Sequence, residues 1–126
     1  MKKIWITFSK HGLHKYPNAP VEVGYLANEH RHLFKFKVTI EVSHLDRELE
    51  FHMVQNYCEG MYSCGVLELS NKSCEMLAVE LLDKLHKKYT YFPNSEDFRY
   101  LEVEVSEDGE CGAICDVTDL LRKTLE

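Results

Sequence analysis

From His30 the chain alternates for seven residue pairs. His30, His32, Phe34, Phe36, Val38, Ile40 and Val42 share one face, and Arg31, Leu33, Lys35, Lys37, Thr39, Glu41 and Ser43 share the other. A period of two over that length predicts a long, half-buried antiparallel strand. Residues 2 to 8 alternate in the same way, with Ile4, Ile6 and Phe8 opposite Lys3, Trp5 and Thr7, and predict a first strand. Residues 11 to 29 collect the turn formers Gly12, Pro17-Asn18-Ala19-Pro20, Gly24 and Asn28, and read as a loop or an interrupted strand pair.

A turn is expected around His44-Leu45-Asp46-Arg47, and residues 49 to 58 read as a strand end running into a short helix. A clearer helix starts at Ser73, a good N-cap. Its apolar stripe is Leu77, Ala78, Leu81, Leu82 and Leu85, and it ends in the basic turn Lys84-Leu85-His86-Lys87-Lys88. After Pro93-Asn94, Leu101, Val103 and Val105 alternate with Glu102 and Glu104. Asp108-Gly109 signals a hairpin into a last strand over about 111 to 117, and a short helix is expected from about 118. The order β-β-α-α-β-β defines an α+β domain with an antiparallel sheet, and its 126 residues read as one domain, 1–126.

Composition narrows the function classes. The 15 Lys+Arg against 21 Asp+Glu leave a net charge of −6, the wrong sign for a general nucleic-acid binder. A small phosphorylated ligand needs only a local basic patch. No apolar run approaches a membrane span, and Met1-Lys2-Lys3 leads directly into the first strand without a signal-peptide core. The five cysteines are odd in number and irregular in spacing. A cytoplasmic protein with reduced thiols is the expectation.

The strongest chemical feature is the histidine pair. Residues i and i+2 of a strand point the same way, roughly 6.5 to 7 Å apart along it, so two imidazoles can converge on one zinc ion. His30 and His32 also lie on an otherwise apolar face, where their nitrogens need partners. The bland alternative is a frayed, solvated strand end. His14, or alternatively His11, follows the first strand and supplies a third ligand, giving a three-histidine site with an open fourth position. His44 and His52 lack such a context, and His86 reads as a surface residue. Cys111-x-x-x-Cys115 and Cys58-x5-Cys64 match no zinc-ribbon spacing, so the cysteines read as small buried hydrophobes. No GxSxG elbow and no glycine-rich phosphate loop occurs. Glu107 is either a turn carboxylate or an acceptor for the paired N–H donors of a guanidine-like ring edge.

These residues together resemble the 6-pyruvoyl-tetrahydropterin synthase and 6-carboxytetrahydropterin synthase group, which has the tunnelling (T-) fold. The resemblance lies in the element order, in the upstream His and in the His-x-His that opens the second strand. Glu50-Phe51 resembles the family's Asp-Phe. Asn71-Lys72-Ser73-Cys74-Glu75-Met76-Leu77-Ala78 resembles its Pro-Thr-x-Glu-Asn-Leu-Ala helix start, and Ser106-Glu107, followed by Gly112-Ala113, its Glu-Thr. The resemblance implies helices on one face of the sheet, zinc held by His14, His30 and His32, and a pterin anchored by Glu107. It further implies a lyase acting on a dihydroneopterin-triphosphate-like substrate, in trimers stacked into hexamers.

The departures fall on the proton-transfer residues. Leu26 stands where the family has its catalytic Cys, and Leu33 replaces the Asn after His-x-His. Residues 60 to 69 lack the Asp-His pair. Two readings follow: a divergent zinc-dependent synthase of the pterin or deazapurine type, and a non-catalytic protein of the same fold that binds or sequesters a pterin or purine-like nucleotide. His52 and Cys115 are candidate replacement bases for the first. A third, bland reading is a structural assembly whose histidines fill space.

Overall fold

The computed structural model describes residues 1–63, 65–90 and 98–120. Strand β1 runs Lys2–His14 and β2 runs His30–Val42. Helix α1 spans Phe51–Gly60, strand β3 Leu67–Ser70, helix α2 Cys74–Lys88, strand β4 Leu101–Glu107 and strand β5 Cys111–Asp116. The five strands form one sheet in the order β3-β1-β2-β4-β5.

The long alternating strand is found as expected, and its even-numbered positions from Phe34 to Val42 are buried. It pairs antiparallel with β1 along its full length and with β4 from Phe34 to Ile40. Ile6, Phe8, Phe36, Val38, Leu101, Val103 and Val105 therefore share one face, covered by Val54 and Cys58 of α1 and by the leucines of α2. Phe8 and Phe36, directly opposite in register, stack with ring centroids 4.6 Å apart. The opposite face carries no helix among the described residues and presents Trp5 and Ile114, each 61% exposed.

Three features differ from the sequence reading. First, β1 continues through Gly12 to His14 instead of stopping at residue 8. Gly12 belongs in the sheet because it faces the core. A Cβ there would lie 2.8 Å from Leu69 Cδ1 and 3.0 Å from the Phe34 ring, so glycine serves close approach and not a turn. Second, in place of a strand end running into a short helix, the ten-residue helix Phe51–Gly60 is found, capped by Glu50, whose carboxylate accepts the Met53 amide at 2.9 Å. Third, β3 lies between the two helices and pairs parallel with β1, so the order is β-β-α-β-α-β-β and the sheet is not wholly antiparallel. Helix α2 starts as expected, with Ser73 Oγ accepting the Met76 amide at 3.2 Å. Cys64 and the Pro93-Asn94 break lie outside the described residues. Of the expected last helix, the turn over 117–120 is described. No helix among the described residues is long and apolar enough to cross a membrane.

Candidate metal centre

Antiparallel register places His14 directly opposite His30, and Gly12 opposite His32. All three histidines thus lie on the core face, at the end of the sheet where the apolar residues stop. One ring nitrogen from each lies within 4.8 Å of the other two, close enough to hold a metal ion. His11 pairs with Leu33, falls on the opposite face and is exposed, so His14 is the third member. Gly12 leaves the room that lets β1 carry His14 to this position.

The outward nitrogens are all held. His14 Nδ1 lies 2.9 Å from the Lys72 carbonyl, His30 Nδ1 2.9 Å from the Asn28 carbonyl, and His32 Nδ1 2.7 Å from Asp108 Oδ2. A carbonyl or carboxylate only accepts, so each Nδ1 carries a proton. Such outer partners orient metal-binding imidazoles and fix their tautomer. The Nε2 atoms of His14 and His32 are buried without a hydrogen-bond partner among the described residues. Buried polar nitrogens left so are costly, and two of them beside a third imidazole suit a cation. The donor set therefore fits a metal ion, and imidazole nitrogens suit zinc among several transition metals.

The partners come from two turns. Asp108 and Gly109 take positive φ, 58° and 75°, the pattern of a type I′ turn, closed by Glu110 N–H to the Glu107 carbonyl at 3.0 Å. That turn sets Asp108 against β2, where its carboxylate also accepts the Leu33 amide at 2.9 Å. The Leu33 amide first, and then His32, hold the Asp108 carboxyl below the usual carboxylate range. The β3–α2 junction supplies the Lys72 carbonyl, next to Ser70 in a left-handed conformation (φ 54°) and to a bulge in the β1–β3 pairing. Sequence reasoning saw Asp108 only as a turn former. The signal was its place next to Glu107, but the register that aligns it with His32 was not readable.

A cavity of about 540 Å³ opens beside the histidines, lined among others by His14, His30, Glu107, Leu26, Cys74 and Cys111. Lys15 and Lys72 also border it, a local basic contribution in an acidic protein. Glu107 lies at the end of β4, opposite Phe34, with its side chain on the histidine face. Its Oε1 is 3.2 Å from His14 Nε2 and its Oε2 is 3.3 Å from His32 Nε2, contacts that lack hydrogen-bond geometry.

Neither proposed replacement base lines this cavity. His52 is exposed on α1 and pairs with Glu50 at 3.1 Å, and the half-buried Cys115 is pushed up chiefly by desolvation. The cysteines divide: Cys58 and Cys74 are buried as expected, whereas Cys111 is exposed at the cavity wall. Burial, with Glu107 and Glu75 nearby, pushes the Cys74 thiol up to about 12, so it stays protonated. No family model matches the chain, and no curated protein matches it by sequence.

Proposed function

We propose that this is a divergent T-fold protein, related in design to the tetrahydropterin synthases. In it, His14, His30 and His32 hold a zinc ion beside a cavity that takes a pterin or purine-like ring. The observation that carries the reading is the set of three imidazoles, each held through Nδ1 and each with a ring nitrogen within 4.8 Å of the other two. When bound there, zinc would act as a Lewis acid toward oxygen atoms of the ligand. The chain's own residues bind and orient. Lys15 borders the cavity as a partner for ligand phosphate, beside Lys72, whose ammonium pairs with Glu80 at 3.1 Å, and Glu107 is the acceptor for paired N–H donors of a ring edge. Activity as a synthase acting on a dihydroneopterin-triphosphate-like substrate is the leading form of the proposal.

Leu26 favours the second reading, a non-catalytic binder of the same ligand class. It lines the cavity at the place where the resembled family carries its catalytic thiol. Of the two cavity thiols, Cys74 is held protonated, which leaves Cys111. The homo-oligomer that the resemblance implies is supported by the uncovered sheet face with Trp5 and Ile114, and by the outer edge of β5.

Two measurements test this. Elemental analysis of fresh protein should find about one zinc per chain, lost in His30→Ala and His32→Ala; a wild type well below that sinks the metal. Incubation with dihydroneopterin triphosphate, followed by absorbance and mass, separates the two readings. Turnover supports the synthase, and tight binding without turnover supports the binder.

A further inference from the structure

The Glu107 carboxylate reaches two of the three clustered histidines, His14 and His32. We propose that Glu107 is the fourth donor to the metal: it closes the site in the ligand-free protein and is the group that an incoming oxygen ligand displaces. This rests on the metal reading above and adds a ligand that the sequence assigned to a different task.

The Glu107 carboxylate faces His14 Nε2 and His32 Nε2 at 3.2 and 3.3 Å, and neither nitrogen has a hydrogen-bond partner among the described residues. A metal ion between these donors would make the contact favourable. Donors placed at zinc bond lengths of about 2.0 to 2.1 Å on a tetrahedron are about 3.3 Å apart, and each Glu107 oxygen stands at about that separation from one ring nitrogen, Oε1 from His14 and Oε2 from His32. An N–H···O hydrogen bond would more commonly be near 2.9 Å.

The four donors are not equivalent. Each imidazole is pinned through Nδ1. Among the described residues no hydrogen-bond donor holds the Glu107 carboxylate, and its side chain lines the cavity and keeps 26% exposure. Glu107 is therefore the donor that a ligand arriving through the cavity can replace. The displaced carboxylate is then free for the ring edge, so metal closure and ring binding compete for one side chain.

The test uses the full chain, stripped with a chelator and reloaded with Zn(II) or Co(II), as wild type, Glu107→Gln and Glu107→Ala. Glu104→Gln, on the opposite face, is the control, and the circular dichroism of each metal-free variant should match wild type. Zinc affinity, read by competition with a chromophoric chelator, should fall at least tenfold in both Glu107 variants. The visible Co(II) band should change as water enters. Acetohydroxamate, a small bidentate oxygen donor, should bind the Co(II) form of Glu107→Ala at least tenfold more tightly than wild type. Unchanged affinity and spectrum in both variants would overturn the proposal while leaving the histidine site intact. A wild type that takes up neither ion removes the histidine site and this inference together.

Discussion

Two polar clusters are buried against this sheet, at opposite ends of β2, and they are built on opposite principles. At the Val42 end, Arg99 is 3% exposed and its guanidinium is satisfied from inside the protein. It donates to the Tyr89 carbonyl at 3.1 Å, the Glu41 carbonyl at 2.9 Å and both oxygens of Glu48, the closer at 2.9 Å. At the His30 end, three rings donate outward through Nδ1, and two of them turn Nε2 toward the Glu107 carboxylate. The first cluster is complete without a ligand and ties β2, α2 and the 43–48 turn together. The second leaves two buried ring nitrogens without a hydrogen-bond partner among the described residues. Burial alone does not separate structure from function; the balance of donors and acceptors does.

The contrast can be broken most sharply at Arg99. Arg99→Ala removes the buried guanidinium and leaves the half-buried Glu48 with only the Ser43 amide, and it should cost about 3 kcal/mol in denaturant unfolding, while the zinc affinity of whatever remains folded stays unchanged. A variant that unfolds at the wild-type midpoint would place the two clusters on an equal footing. At the other end, zinc at a hundredfold excess over its dissociation constant should raise wild-type stability by about 2.7 kcal/mol and His30→Ala by nothing, read as a shift in thermal midpoint. Without metal the order should reverse. His14→Leu should be as stable as wild type or more so, because it removes an unsatisfied buried nitrogen. Asp108→Asn loosens the hold on His32 and should weaken zinc binding about tenfold to a hundredfold, with the fold preserved.

The smallest effect is in acid. Burial pushes the Glu48 carboxyl upward, but its hydrogen bonds from Arg99 and from the Ser43 amide outweigh that and leave it below its ordinary value of 4.5. A depressed carboxylate adds stability that is present above that value and is lost as pH falls through the lower, folded one. Wild type should therefore lose stability more steeply than Glu48→Gln below about pH 4.5, as pH-dependent urea midpoints would show. Parallel curves would mean that the Arg99 contact is not charge-dependent.

Much of the frame was legible in the residues. β2, the α2 stripe with its Ser73 cap, and the Asp108-Gly109 turn each depend on contacts between near neighbours, which a period or a dipeptide records. The misreadings share a cause. Gly12 reads as a turn residue in the sequence because close approach to Leu69 and Phe34 is invisible until β3 is in place. Strand β3 is four residues, Leu67–Ser70, too short for alternation to stand out, and its pairing partner lies more than fifty residues away. His14 and His11 could not be told apart, because face assignment needed β1 to continue without a break through Gly12.

By itself the sequence determined an α+β domain with a His-x-His strand, the three histidines and a carboxylate at the end of β4, since all of these are matters of local spacing. Only the tertiary structure decided what those groups do to one another. Sheet register set His14 across from His30, the hairpin turned Asp108 onto His32, and Glu107 came to rest 3.2 and 3.3 Å from two ring nitrogens. Proton positions and donor counts belong to groups brought together from distant parts of the chain, and no stretch of sequence contains them.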